Sequence, residues 1–344
     1  MSEGRNGAAR PVGGPKKANI YDVAERAGVS HMTVSRVLNG HPNIRETTRE
    51  RVLKAIEEMN YTRSSIARAL ATSKAMRIGV LVDGPLQYGP NSTVRSLEMA
   101  ARARGYAVSS FAIGDDEGQH VNAGVMELVT QGIDALCVIA PRISSLRLLR
   151  EQVTGLPMLV VKEEPDGELH TVAVDQRAGA RAATRHLIEL GHRNIVHLAG
   201  PLDWYDARAR AEAWRDTMLA AGLNAPTPEV ADWSSDSGYE FGRTYPFDGV
   251  TAVFASNDQM ALGLIHALWE RGIRVPTDIS VVGFDDVPDA AHYGPPLTTV
   301  RQPFALLGES IIEELMAVME DTGGGGRRLV QPALVVRAST APPA

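Results

Sequence analysis

A single cysteine, Cys137, stands in 344 residues, so no disulfide can form within the chain. Its place in the apolar run ALCVIA predicts a buried thiol and not a nucleophile. No apolar stretch reaches the roughly 18 residues that a membrane span requires. The opening segment, MSEGRNGAARPVGGPKKAN, is charged and glycine-rich with no apolar stretch behind it, and predicts no secretory signal. Enzyme signatures are missing as well. VLVDGPLQYG is not the G-x-G-x-x-G of dinucleotide-binding folds, and neither G-x-S-x-G nor a Walker A sequence occurs. The nine histidines are scattered, and His186 and His192 have no companion at metal-ligand spacing. The expectation is a binding protein with no catalytic residue, no metal and no cofactor.

What is present is an ordinary folded composition, 44% hydrophobic and 22% charged, which excludes disorder throughout. The net charge of −6 argues against nucleic acid only until the chain is divided. Residues 1–77 hold 14 Lys and Arg against 7 Asp and Glu, a net of +7, whereas the remaining 267 residues carry −13. A small basic head suited to phosphates is joined to an acidic body with another task.

In the head, Ile20, Val23, Ala24 and Ala27 recur at helical spacing until Gly28. Ser30 can cap a second helix carrying Val34, Val37 and Leu38, which ends at Asn39-Gly40. A third helix is expected from Thr47 or Thr48, with Val52, Ile56 and Met59 on one face. Two short helices about Gly28-Val29-Ser30 form a helix-turn-helix pattern, which a plain three-helix packing module would share.

From Met76 short apolar strands alternate with amphipathic helices. Strands are predicted over 77–82, 106–112, 135–140, 157–161, 194–200, 249–256 and 279–285, with helices near 92–104, 121–131, 177–190, 206–221, 236–245 and 259–271. This rhythm implies parallel sheets covered on both faces, and its length implies two sheets with a cleft at the carboxyl ends of their strands.

IYDVAERAGVSHMTVSRVLNG with TTRERVLKAIEEMNY, and then LGHRNIVHLAGPLDWYDARAR, DWSSDSGYE, ASNDQMALGLIHAL, PTDISVVGFDD and PPLTTVRQPFALLGE, resemble in order and spacing the lactose-repressor (LacI/GalR) family of bacterial transcription regulators over about 19–338. The resemblance implies an α/β fold, a two-lobed periplasmic-binding-protein-like core preceded by a small all-α helix-turn-helix DNA-binding domain. Its divisions are a flexible tail over 1–18, the DNA-binding domain over 19–62, a hinge helix and linker over 63–75, the effector and dimerisation domain over 76–338 and a flexible tail over 339–344. The first lobe is expected over roughly 76–175 plus 304–334. The implied partners are double-stranded operator DNA, a small-molecule effector and a second copy in a homodimer, in the cytoplasm on the nucleoid and not at a membrane. Only TAPPA follows Ser339, without a heptad, which disfavours a coiled-coil tetramer.

The resemblance assigns major-groove base reading to His31, Met32 and Arg36, and a guanidinium at Arg36 can donate two parallel hydrogen bonds to a guanine edge. Ser30, Thr33, Ser35, Asn39, Thr48 and Tyr61 are expected at the phosphate backbone. In the hinge, Ala67 and Leu70 correspond to the family's minor-groove wedge. His31 and Met32 stand where the family's eponymous member has Tyr and Gln, so its operator does not transfer.

In the cleft the resemblance assigns Arg210, Asn257 and Asp285 to effector hydroxyls, and Trp204, Trp233 and Phe304 to apolar contact. Lys162 stands where the eponymous member has a sugar-binding aspartate, and Asp83 replaces a small hydroxyl, so a different hydroxyl pattern is expected from that side. A sugar effector is the first reading, with β-galactosides and β-glucosides such as cellobiose as candidates. A purine- or nucleoside-responsive regulator is the alternative, and a soluble sugar-binding protein is the alternative from another class.

Overall fold

The computed structural model describes residues 18–38, 41–61, 75–83, 87–113, 119–139, 142–150, 155–167, 169–320 and 326–344. Most of the expected tail over 1–18 and hinge over 63–75, and with them Asn39, Ala67 and Leu70, lie outside these residues. The chain divides into two compact units between Ala75 and Met76.

The first unit is built from α1 (Ile20–Ala27), α2 (His31–Leu38) and α3 (Glu46–Glu58). Asn19 caps α1, its side chain accepting from the backbone of Tyr21 and Asp22 while Asp22 returns a bond to the Asn19 N–H. Gly28 ends the helix at φ 63°, a left-handed conformation that a β-carbon disfavours. Two residues later Ser30 Oγ accepts the Thr33 N–H at 3.2 Å and starts α2. Val23, Ala24, Ala27, Val34, Val37, Val52 and Ala55 are buried together, so three short helices share one core that none could form alone.

The second unit has two six-stranded sheets. In the first, β1 (Arg77–Asp83), β2 (Ala107–Ile113), β3 (Ala135–Ile139), β4 (Met158–Val161), β5 (His170–Val174) and β11 (Arg327–Val330) lie in the order β11-β5-β4-β3-β1-β2, all parallel. Helices α4 (Tyr88–Ala103), α5 (Gln119–Thr130), α6 (Ile143–Arg150) and α11 (Phe304–Met319) cover it. The second sheet holds β6 (Ile195–Ala199), β7 (Glu229–Val230), β8 (Ala252–Ala255), β9 (Ser280–Asp285), β10 (Thr298–Arg301) and β12 (Ala333–Val335), in the order β12-β10-β9-β8-β6-β7. It is flanked by α7 (Gln176–Glu189), α8 (Tyr205–Ala220), α9 (Ser235–Thr244) and α10 (Asp258–Glu270). Each sheet buries apolar side chains on both faces, which is why β1, β3, β8 and β9 read as unbroken apolar runs. Cys137 is fully buried in the first core, where desolvation pushes its thiol far above the usual range. No helix among the described residues is long and apolar enough to cross a membrane.

Two sequence expectations change at the carboxyl end. The segment 304–334 does return to the first sheet through α11 and β11, but β12 pairs antiparallel with β10 in the second. Residues 339–344 were expected as a flexible tail, yet Ser339 is fully buried and the chain there is strapped to the second sheet. Ser339 Oγ donates to the Val281 carbonyl at 2.6 Å and accepts the Thr298 N–H at 2.8 Å. Beyond it, His186 bonds Thr340 and His192 bonds the Ala341 carbonyl, each at 2.9 Å. Burial lowers the pKa of both histidines, which therefore serve this strap as neutral rings. Ser339→Ala leaves a buried N–H and a buried carbonyl without their shared partner and should cost about 1–3 kcal/mol in urea unfolding. An unchanged midpoint would show that the strap's backbone bonds suffice.

Candidate functional site

On α2 the side chains divide by face. Val34 and Val37 turn into the head's core, whereas His31, Met32 and Arg36 are exposed along the opposite side. Met32 is 56% exposed, a large apolar side chain with no packing role in the head. The His31 ring lies 5.0 Å from that of Tyr21. Ser30 is exposed, Thr33, Ser35 and Thr48 are half-buried near these helix starts, and Tyr61 packs its ring against the head's core. The structure thus gathers the expected base-reading residues on one exposed face of a short helix.

In the body, a cavity of roughly 540 Å³, its open mouth included, lies at the carboxyl ends of strands from both sheets. Its lining includes six of the eight residues expected at the effector: Trp204, Arg210, Trp233, Asn257, Asp285 and Phe304. The first sheet contributes Ile139 from the end of β3 and Val161 from the end of β4, with Pro90 and Thr93 from α4. That wall is chiefly apolar. The second sheet supplies the charged groups.

Arg210 is buried, and its guanidinium is held from several directions. Nε donates to Gln176 Oε1 at 2.9 Å, Nη1 donates to the Ser256 carbonyl at 2.5 Å, and the group lies 3.8 Å from the centre of the Phe284 ring. Asn257 caps α10, accepting the Met260 N–H at 2.8 Å and donating to the Trp233 carbonyl at 2.9 Å. This bond ties the loop carrying Trp233 to a helix end. Trp233 has φ 77°, and its indole lies flat over Gly200, where a β-carbon would come within 2.3 Å of the ring. Trp204 meets it edge-on, with ring centroids 5.9 Å apart.

Asp285 ends β9 at φ 112° and accepts from Gln302 Nε2 at 2.6 Å. Two non-glycine lining residues in the left-handed region indicate that backbone strain is concentrated at this cavity. Burial pushes the Asp285 carboxyl up to about 6, against the opposing pull of Arg210 and Gln302. Asp286 is turned away into ion pairs with Arg301 and Arg337, each at 2.6 Å.

The two remaining expected residues do not line the cavity, which corrects the reading of the first-lobe side. Asp83 accepts from the Arg142 side chain at 2.8 and 2.9 Å, from the Arg142 N–H at 3.1 Å and from Ser145 Oγ at 2.7 Å, so its acceptors are filled by protein. Lys162 pairs with Asp166 at 2.7 Å and sits 4.7 Å from the centre of the Tyr205 ring. Both strand ends were placed correctly, but their partners come from loops that no local pattern announces. Among the lining residues that went unpredicted are three with hydrogen-bonding side chains near the charged wall, Gln87, Gln302 and Asp206. Asp206 could have been found, because it precedes Arg210 by one helical turn and must share its face. Among the described residues no cluster of three or more His, Cys, Asp or Glu is placed to hold a metal.

The raised Asp285 pKa has a definite consequence for stability. A carboxyl whose folded pKa of about 6 exceeds its unfolded value binds its proton more tightly in the fold, so stability falls from about pH 4 to pH 6 and stays reduced above. Asp285→Asn should therefore stabilise the ligand-free protein by about 1–3 kcal/mol at neutral pH and by little near pH 4. Urea unfolding of both proteins across that range checks it; a gain independent of pH would assign the effect to something other than the charge.

Comparison with known proteins adds to this geometry. The model for bacterial regulatory proteins of the lacI family matches residues 19–64, and that for a periplasmic binding protein-like domain matches residues 184–340. The lactose operon repressor of Escherichia coli (strain K12) is 33% identical over 331 residues, spanning 95% of this chain and 92% of its own. Among solved structures, the lac repressor dimer bound to operator and the anti-inducer ONPF has a TM-score of 0.85 at 32% identity, over 95% of this chain and 100% of that one. The complex of the transcriptional regulator CelR with cellobiose has a TM-score of 0.69 at 29% identity, over 94% of this chain and 99% of that one.

Proposed function

The chain belongs to the lacI family of bacterial regulatory proteins, and we propose that it represses carbohydrate-utilisation genes in the cytoplasm as a homodimer on a two-fold operator, from which a sugar in the body's cavity releases it. The observation that carries this reading is the cavity itself. A guanidinium, a carboxylate and an amide converge beside two indoles, a combination that offers paired hydrogen bonds to hydroxyls and flat faces to sugar C–H surfaces. The lac repressor's structure with operator as a dimer, and CelR's with cellobiose, support the DNA and sugar halves respectively.

In this reading residues 19–62 bind the operator, with Arg36, His31 and Met32 at base edges and Ser30, Thr33, Ser35, Thr48 and Tyr61 toward phosphates. One short helix reads only a few base pairs, so a second copy supplies the other half-site. Residues 76–338 sense the effector. An effector gripped by Arg210 and Asp285 on one wall also touches Ile139 and Val161 on the other, so its affinity depends on how the two sheets are set. That dependence is what thermodynamic linkage requires: only a ligand with different affinities for two arrangements can shift their balance.

The test selects an operator from a random-duplex pool and measures its release by mono- and disaccharides, with purines included. Release by a sugar is expected; release by purines alone would replace the carbohydrate reading with the nucleobase one. On the selected operator Arg36→Ala should lose about 1–3 kcal/mol of discrimination against scrambled DNA. Binding to the scrambled duplex at low salt should change far less, because the phosphate contacts remain. Equal losses on both duplexes would make Arg36 a phosphate contact.

A further inference from the structure

The cavity holds a charge imbalance that its own walls do not settle. Its charged lining consists of two carboxylates, Asp206 and Asp285, and one cation, Arg210. Neutral amides connect them. Gln176 Nε2 donates to Asp206 Oδ2 at 3.3 Å and to Gln302 Oε1 at 3.1 Å, and Gln302 Nε2 donates to Asp285 Oδ1 at 2.6 Å. Arg210 donates into the same chain at Gln176 Oε1, 2.9 Å away, and among the described residues forms no ion pair with either carboxylate. The second oxygen of each carboxylate, Oδ1 of Asp206 and Oδ2 of Asp285, has no hydrogen-bond partner among the described residues.

Among the described residues the nearby cations are already paired, Arg142, 6.0 Å from the Trp204 ring, with Asp83. Lys162 is committed to Asp166, and Arg177 and Arg327 are committed to Glu163. Asp258, beneath Asp285, is bonded to Thr299 Oγ1 at 2.6 Å and to the Val287 N–H at 2.8 Å and contributes no positive charge. Trp233, one of the lining residues and only 8% exposed, also buries its indole N–H without a protein partner.

Amides satisfy the geometry of a carboxylate but not its charge, and a surplus charge partly withdrawn from water is costly. A neutral sugar brings only more hydroxyl donors. An ammonium brings three donors and the missing charge together. We propose that the cavity selects an aminated sugar, its ammonium held by the free oxygen of Asp206 while ring hydroxyls occupy Asp285 and Arg210. This rests on the carbohydrate reading above and narrows it to one chemical class.

Calorimetry on the full-length protein at a pH of about 6.5, below the usual pKa of an amine, compares matched pairs: glucosamine with glucose, galactosamine with galactose, and the β-1,4-linked disaccharide of glucosamine with cellobiose. In at least one pair the aminated member should bind about tenfold tighter or more. Asp206→Asn should bring that ratio to within about threefold of one, and Asp206→Glu, which keeps the charge, should retain part of it. Circular dichroism of both variants confirms their fold. A neutral member that binds as tightly as its aminated partner in every pair overturns the selection while leaving the carbohydrate reading intact, and so does a preference that survives in folded Asp206→Asn. Binding by purines and by no sugar of either kind overturns both.

Discussion

Burying the Arg210 guanidinium is the constraint around which the second unit is arranged. A cation removed from water must recover several kcal/mol through bonds and opposing charge, and its fork of donors fixes where those partners stand. The Ser256 carbonyl lies just past β8, Gln176 opens α7, and the Phe284 ring sits at the end of β9. Three separate connections thereby meet at one group. The same burial depresses the arginine's own pKa and raises those of Asp206 and Asp285, so the cavity is electrostatically poised before anything enters it.

That poise is paired with backbone strain. Trp233 and Asp285 hold positive φ values that their side chains disfavour, and each is fixed by a neighbour: Trp233 through its carbonyl on Asn257, Asp285 through Gln302. Asn257 shows how economical the arrangement is, since the side chain that caps α10 also sets the loop bearing an indole. A residue of this kind links fold to site directly, because losing its amide would disturb a helix start and a cavity wall together.

How much of this was legible in the sequence follows from the range of the forces involved. The head was readable almost completely, because capping, the Gly28 stop and the Val23, Val34 and Val52 stripes act over a few residues. The alternation of strands and helices was equally plain, and within it the family resemblance pointed to Arg210 early in a helix, Asn257 just past a strand and Asp285 at a strand end, which the structure brings to one cavity. What escaped depends on contacts distant in sequence. Asp83 finds Arg142, 59 positions away, and becomes a structural ion pair. Residues 339–344 read as a flexible tail, yet Ser339 straps the chain to β9 and β10 once Val281 and Thr298 are brought beside it. The two-residue β7 is too short for its alternation to be told from a turn.

The two walls of the cavity differ in kind, and that difference separates recognition from response. The charged and aromatic groups lie almost wholly on the second-sheet side, so the identity of a ligand is read there, by groups whose positions the Arg210 network already fixes. Ile139, Val161 and Pro90 on the opposite side offer area without direction. Contact with them rewards any ligand that fills the gap, and rewards it only when the sheets stand at the right separation. A ligand held by the polar wall alone would bind equally well in every arrangement and shift none of them. Chemical identity and mechanical consequence are thus carried by different residues, which allows one to change without the other.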